Sequence, residues 1–332
     1  MAVTDYGSIN QRTAAWAATE MLSHAEPVIV LNKFGQVKPL PKNKADNIKF
    51  RRPIPFAAVS TPLAEGVTPS AQQMNYEDVP VAIDQWGAVV TITDRVHDLA
   101  EDPVLADASM LCGEQAGDTV EAVTWGVVRG GTSVFRANGT SRSDINTPIN
   151  QNKLRAAVRY LMAQRAKRIT KMLSGSTEFG TSPIEASYIA FGHTDMDSDI
   201  RNLPGFTPTA EYGSRKPLAP EEIGSVENIR FILSPMLDPF EGDGSADLNG
   251  MKAVDDTNVD VYPLVVVGQE AYGTVPLKGA GAITPSVINP DVKSKDDPLG
   301  QRGFVGWKAY HAAVRLNESW MTRIECGVTD LA

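Results

Sequence analysis

The run His193, Asp195, Asp197 and Asp199 is the densest set of metal-ligating side chains in this 332-residue sequence. On an extended strand, alternate positions face one way, so the four could ring a divalent cation and serve a metal-dependent enzyme. On a helix they fan out and cannot. The run follows the apolar segment Tyr188 to Phe191, where a helix start is expected, and acids are favoured at a helix N-terminus. His24, His97 and His311 stand far from one another, and there is no HExxH pattern. Gly279, Gly281 and Thr284 resemble a phosphate loop faintly, but the third glycine and a following helix are missing. Asp243, Asp247 and Asn249 offer oxygen ligands without calcium-loop spacing. No GxSxG seat for a nucleophilic serine is present. Cys112 and Cys326 form no CxxC pair and read as two buried thiols in a reducing compartment. No catalytic, cofactor-binding or metal site is expected, and the protein is not expected to be an enzyme.

A second cluster concerns charge. Lys153, Arg155, Arg159, Arg165, Lys167, Arg168 and Lys171 follow one another with no acid among them. They read as the basic face of a helix that meets nucleic acid or an acidic protein partner, or that is simply solvated. The whole chain, by contrast, carries a net charge of -9, which argues against gripping nucleic acid through a basic domain. Hydrophobic residues at 42% and charged residues at 21% are ordinary for a globular chain and exclude collagen-like, disordered and disulfide-rich classes. The first ten residues have neither a basic start nor an apolar stretch, so no signal peptide is expected. The longest apolar stretch, Val261 to Gly268, is too short to cross a bilayer.

The elements that would position these residues follow from periodicity. Ser8 and Gln11 fit a capping box, and Ala14, Ala17, Ala18, Met21 and Leu22 share a weakly apolar helix face. Residues 26 to 82 hold eight prolines, which forbids a long helix. The segment reads as an extended arm followed by a long two-stranded loop, with short extended pieces at Ile48 to Arg51 and Pro55 to Val59 and a turn at Gly66 and Pro69. Such a ribbon cannot bury both of its faces by itself. Residues 79 to 93 alternate as a strand with a bulge at Gly87. Asp102 and Pro103 start a long helix to Arg129, with Leu105, Ala108, Cys112, Ala116, Thr119, Val123 and Val127 as its stripe. Gly113, Gly117 and Gly126 in that helix imply close backbone approach or a kink. A second helix puts Leu154, Ala157, Val158, Leu161 and Met162 on one face. Strands are expected at Tyr188 to Phe191, Ile229 to Leu233, Val259 to Val267, Phe304 to Leu316 and Trp320 to Glu325, the last two around a turn at Asn317 and Glu318.

Four stretches then carry a family resemblance. They are FGQVKPLPKNKADNIKFRRPIPF at 34–56 with TPLAEGVTP at 61–69, QWGAVVTITD at 85–94, YIAFGHTDMDSDIRNL at 188–203, and DPLGQRGFVGWKAYHAAVRLNESWMTRIE at 297–325. In these the chain resembles the major capsid proteins of tailed phages, which adopt the Johnson fold also used by encapsulin shells. The resemblance implies an α+β chain with an N-terminal arm at 1–44, an extended loop at 45–84 and a peripheral domain at 85–150 containing a spine helix at 103–129. It further implies an axial domain at 151–285 and return strands of the peripheral domain at 286–332. It also implies a structural subunit that self-assembles into hexamers and pentamers, forming an icosahedral virion shell around double-stranded DNA that it does not read by sequence. Scaffolding, portal and decoration proteins would be its partners, synthesis would be in the host cytoplasm, and no membrane is involved. His193 is followed by Thr194 where the family often has proline. An encapsulin-like nanocompartment shell, and a metal-dependent enzyme built on His193, Asp195, Asp197 and Asp199, are the alternatives.

Overall fold

The computed structural model describes residues 19–25, 29–41, 46–60, 62, 65–66, 68–95, 104–173, 181–213, 215–276, 283–288, 290 and 297–331. Ser8, Gln11, Asp102, Pro103, Gly279 and Gly281 lie outside them, and with these residues the two expected helix starts and the glycine loop.

Strand β1 is Gln36–Val37, and β2 (Asn47–Pro53) pairs antiparallel with β3 (Tyr76–Ala82) as a two-stranded ribbon. Next comes β4 (Asp84–Thr93). The expected single strand over 79–93 is thus two strands, and the break falls at Ile83, not at Gly87. Gly87 sits inside β4 for a packing reason: a Cβ there would stand 2.7 Å from the Trp307 carbonyl oxygen of the neighbouring strand. Pro55 to Val59 joins no ladder.

Helix α1 spans Val104–Val128. Ala108, Cys112, Ala116 and Val120 on its buried side pack on Ile92, Val305, Trp307 and Ala309. Gly113 permits a close crossing, since a Cβ there would collide with the Met21 carbonyl oxygen. Beyond Ala116 the buried positions are Gly117, Val120, Glu121, Thr124, Trp125 and Val128, while Thr119, Val123 and Val127 are half-exposed. The stripe shifts because the helix end leaves the first core and enters a second one around Phe191 and Tyr272.

Strand β5 (Val134–Arg136) precedes helix α2 (Gln151–Ala163), whose Asn150 side chain accepts from the Lys153 backbone N–H. This helix is shorter than its run of basic residues. Arg165 adopts φ 56°, and the Ala166 N–H reaches back to the Leu161 carbonyl, a left-handed stop that usually holds glycine. Arg165, Lys167, Arg168 and Lys171 therefore lie beyond the helix, in a turn and in β6 (Ile169–Leu173).

The rest is largely sheet. Strands β7 (Thr181–Gly192), β8 (Phe206–Pro208), β9 (Glu222–Val226), β10 (Ile229–Leu233), β11 (Tyr262–Val267) and β15 (Met321–Cys326) join β5 and β6 in an eight-stranded sheet among the described residues. Its central strands are apolar on both faces because each face meets a core. The other sheet is organised by β14 (Arg302–Arg315). Along one side runs β4, from Arg302 opposite Thr93 to His311 opposite Asp84. Along the other lie β12 (Tyr272–Pro276) and β13 (Ile283–Ile288), with β1 beyond β12. The turn expected near Asn317 is a short 3-10 helix, Glu318–Trp320, and β14 and β15 do not pair there; they belong to different sheets.

Candidate assembly surfaces

Chemistry at His193 is dispersed by its surroundings. The residue directly follows β7, and its Nδ1 accepts the Asp195 backbone N–H at 3.1 Å, which makes it the cap of a short 3-10 helix, Thr194–Met196. Burial holds its pKa below the ordinary imidazole value despite nearby Asp195. Asp195 takes Lys252 Nζ at 2.6 Å and the Tyr262 hydroxyl at 2.8 Å. Asp197 pairs with Arg201, and Asp199 accepts from the Thr329 backbone and hydroxyl. They sit on a 3-10 turn and on α3 (Asp197–Arg201), so they fan out as helical residues do. Among the described residues no group of three His, Cys, Asp or Glu is placed to hold a metal ion. Asp243 is committed to Arg142. Cys112 and Cys326 are free and buried, and burial pushes both thiols up, away from reactivity.

Several buried acids were not singled out from sequence, Glu121 and Glu325 among them. Glu121, on α1, receives the backbone N–H groups of Val30 and Leu31 at 3.2 and 3.0 Å. Burial raises its pKa to about 7 against the lowering effect of those hydrogen bonds and of Lys33. It thereby fastens the segment ahead of β1 to the long helix. Glu325, fully buried in β15, gathers Arg142, Arg323 and Arg136, while the Arg142 guanidinium stacks 3.7 Å from the Phe240 ring centre. The only sequence hint for either is a lone acid inside an apolar run.

What the molecule exposes is apolar surface on its ribbon and on one sheet. Ile54, Phe56, Val59, Met74 and Tyr76 lie at the far end of β2–β3, with Phe56 54% and Val59 74% exposed. At the other end Phe50 and Val81 are anchored against Leu40, Val275, Ala312 and Leu316. Cross-strand pairs Arg51–Asp78 and Arg52–Glu77 stiffen the ribbon between. On the sheet, alternation puts Val89, Phe304 and Ile288 on the side away from α1, and all three are exposed. Between ribbon base and body lies a groove of about 810 Å³, lined by Phe50, Arg52, Ile54, Arg165, Leu316 and Trp320 among others.

A family model described as phage capsid protein matches residues 76–324. The chain belongs to that family. A curated major capsid protein of Pseudomonas phage KPP21 is 23% identical over 202 residues, covering 57% of this chain and 51% of that protein. The match therefore spans about half the length of that relative. Among solved structures, the capsid of Ralstonia phage GP4 superposes with a TM-score of 0.68 at 13% identity, over 91% of each chain. The SrpI encapsulin complex of Synechococcus elongatus PCC 7942 gives 0.51 at 10% identity, over 90% of this chain and 87% of that one. The fold is the expected tailed-phage capsid fold, in an α+β chain. For a chain of this family the exposed ribbon and sheet are the features to explain.

Proposed function

We propose that this chain is the major capsid protein of a tailed phage head, with copies closing as hexamers and pentamers into an icosahedral shell around double-stranded DNA. Residues 1–44 act as the arm and 45–84 as the loop laid over a neighbour. Residues 85–150 with 286–332 form the peripheral domain, and 151–285 form the axial domain at the ring centre. The observation that carries this is the ribbon β2–β3: its tip holds large apolar side chains that its own chain leaves in water. Covering each is worth roughly 1.5–3 kcal/mol, which a sister subunit supplies. Head-to-tail contacts of this kind close into rings when the rotation permits. The subunit is made in the host cytoplasm, works without catalysis or cofactor, and meets scaffolding, portal and decoration proteins during assembly. The net charge of -9 favours enclosing DNA without gripping it.

Electron microscopy of the purified, concentrated protein tests the reading. Closed shells are expected, and a monodisperse monomer at every concentration would refute it. Analysis of particles recovered from the producing cells separates the phage shell from an encapsulin-like compartment: the first holds genomic DNA, the second a protein cargo.

A further inference from the structure

Two helices expose surfaces of opposite charge. Helix α2 contains Lys153, Arg155 and Arg159 and no acid. Leu154, Ala157 and Leu161 bury its inner side. Arg155, Arg159 and Met162, spaced by four and three residues, form an exposed stripe, with Met162 46% exposed. Arg155 leans on Glu227, and Arg159 has no ion pair among the described residues. Helix α1 is the converse: Asp107, Glu114, Asp118 and Glu121 and no base. Glu121 points inward, whereas Asp107, Leu111, Glu114 and Asp118 run at steps of four, three and four along the outer side. Leu111, in the middle, is 59% exposed, and none of the three outer acids forms an ion pair among the described residues. Burial, and secondarily the charge of Glu114, raises the pKa of Asp118. Each stripe thus has a large apolar side chain beside charges of one sign. In one chain they rest on different sheets, α1 on β14 and α2 on β15 and β5, and no ion pair joins them among the described residues.

We infer that the basic stripe of α2 packs against the acidic stripe of α1 from a second copy of this chain, with Met162 and Leu111 covering each other. This rests on the capsid reading and adds a specific contact to it. Every copy carries both stripes, so the contact is head-to-tail and repeats around a ring. Exposed ion pairs add little affinity but reject wrong registers and speed encounter, which suits a joint that must form identically many times.

The test is charge reversal with a compensating swap, read as shell yield by sedimentation and microscopy. Arg155→Glu with Arg159→Glu is expected to cut yield at least tenfold, as is Glu114→Lys with Asp118→Lys. Combining all four in one chain is expected to restore most of it. Thermal melting of the unassembled variants checks folding, and if one pair fails to fold, Arg159→Gln with Glu114→Gln provides the milder comparison, with a smaller loss expected. Normal shells from either reversed pair, or no recovery in the folded fourfold variant, would overturn the inference. Normal shells with less packaged DNA would assign the α2 stripe to nucleic acid and overturn it too. Absence of shells from the unaltered protein would instead defeat the parent reading.

Discussion

Single side chains set the pH response. Glu121 has an ordinary pKa of 4.5 when unfolded and about 7 when buried beside Lys33, Glu221 and Tyr272. An acid raised in this way favours the folded state fully below about pH 4.5, and that contribution is lost as pH rises through 7. The 2.5-unit difference corresponds to on the order of 3 kcal/mol. Chemical denaturation between pH 5 and 8 should show the unaltered protein losing stability with rising pH, and Glu121→Gln, which keeps an acceptor for Val30 and Leu31, losing less. His311 titrates in the opposite sense: buried against Thr124, its pKa falls to about 4, so only acid below its ordinary 6.5 strains the fold. At Glu325, removing the carboxylate takes the acid from Arg323 and Arg136, while Arg142 keeps Asp243. Glu325→Ala is expected to cost about 3–5 kcal/mol in urea unfolding, and an unchanged midpoint would show the arginines to be independently solvated. Neither acid was legible in the sequence, because Leu31 lies 90 positions from Glu121 and Arg142 lies 183 from Glu325, and periodicity carries no such information.

Elements were more legible where spacing alone decides them. The long helix was readable from its step of three and four to within a residue at each end of the described part, and β10 matched its apolar run. The end of α2 was misread because Arg165 takes a left-handed conformation that sequence habits reserve for glycine. The break at Ile83 was misread because Gly87 serves the neighbouring strand, not a bulge. Gly113 gives the element-scale prediction: Gly113→Leu would drive a side chain into the Met21 carbonyl and force the 19–25 segment off α1, at about 1–3 kcal/mol or more. Hydrogen exchange should show faster exchange in residues 19–25 and little change in β11. Equal exchange in both would mean that the crossing yields without cost.

At the scale of the whole molecule, stability and assembly are separable. Phe56 and Val59 have little to lose within their own chain, so Phe56→Ser with Val59→Ser should leave the melting temperature of the unassembled subunit within about 1 °C while abolishing shells. A drop in both would mean that the ribbon tip supports the subunit itself. Family and fold were readable from four stretches of sequence. The ribbon's uncovered faces were readable too, but the exposed faces of the sheet and helices were not, since their exposure depends on which sides the tertiary structure covers.

Strand β14 organises one sheet, and β15, only six residues further on, completes the other. β4, β12, β13 and α1 all wait for the first, and β5 and β11 wait for the second. During translation, then, β4 and α1 gain their partner strand only when residue 315 has been made, and β5 and β11 gain theirs only at residue 326.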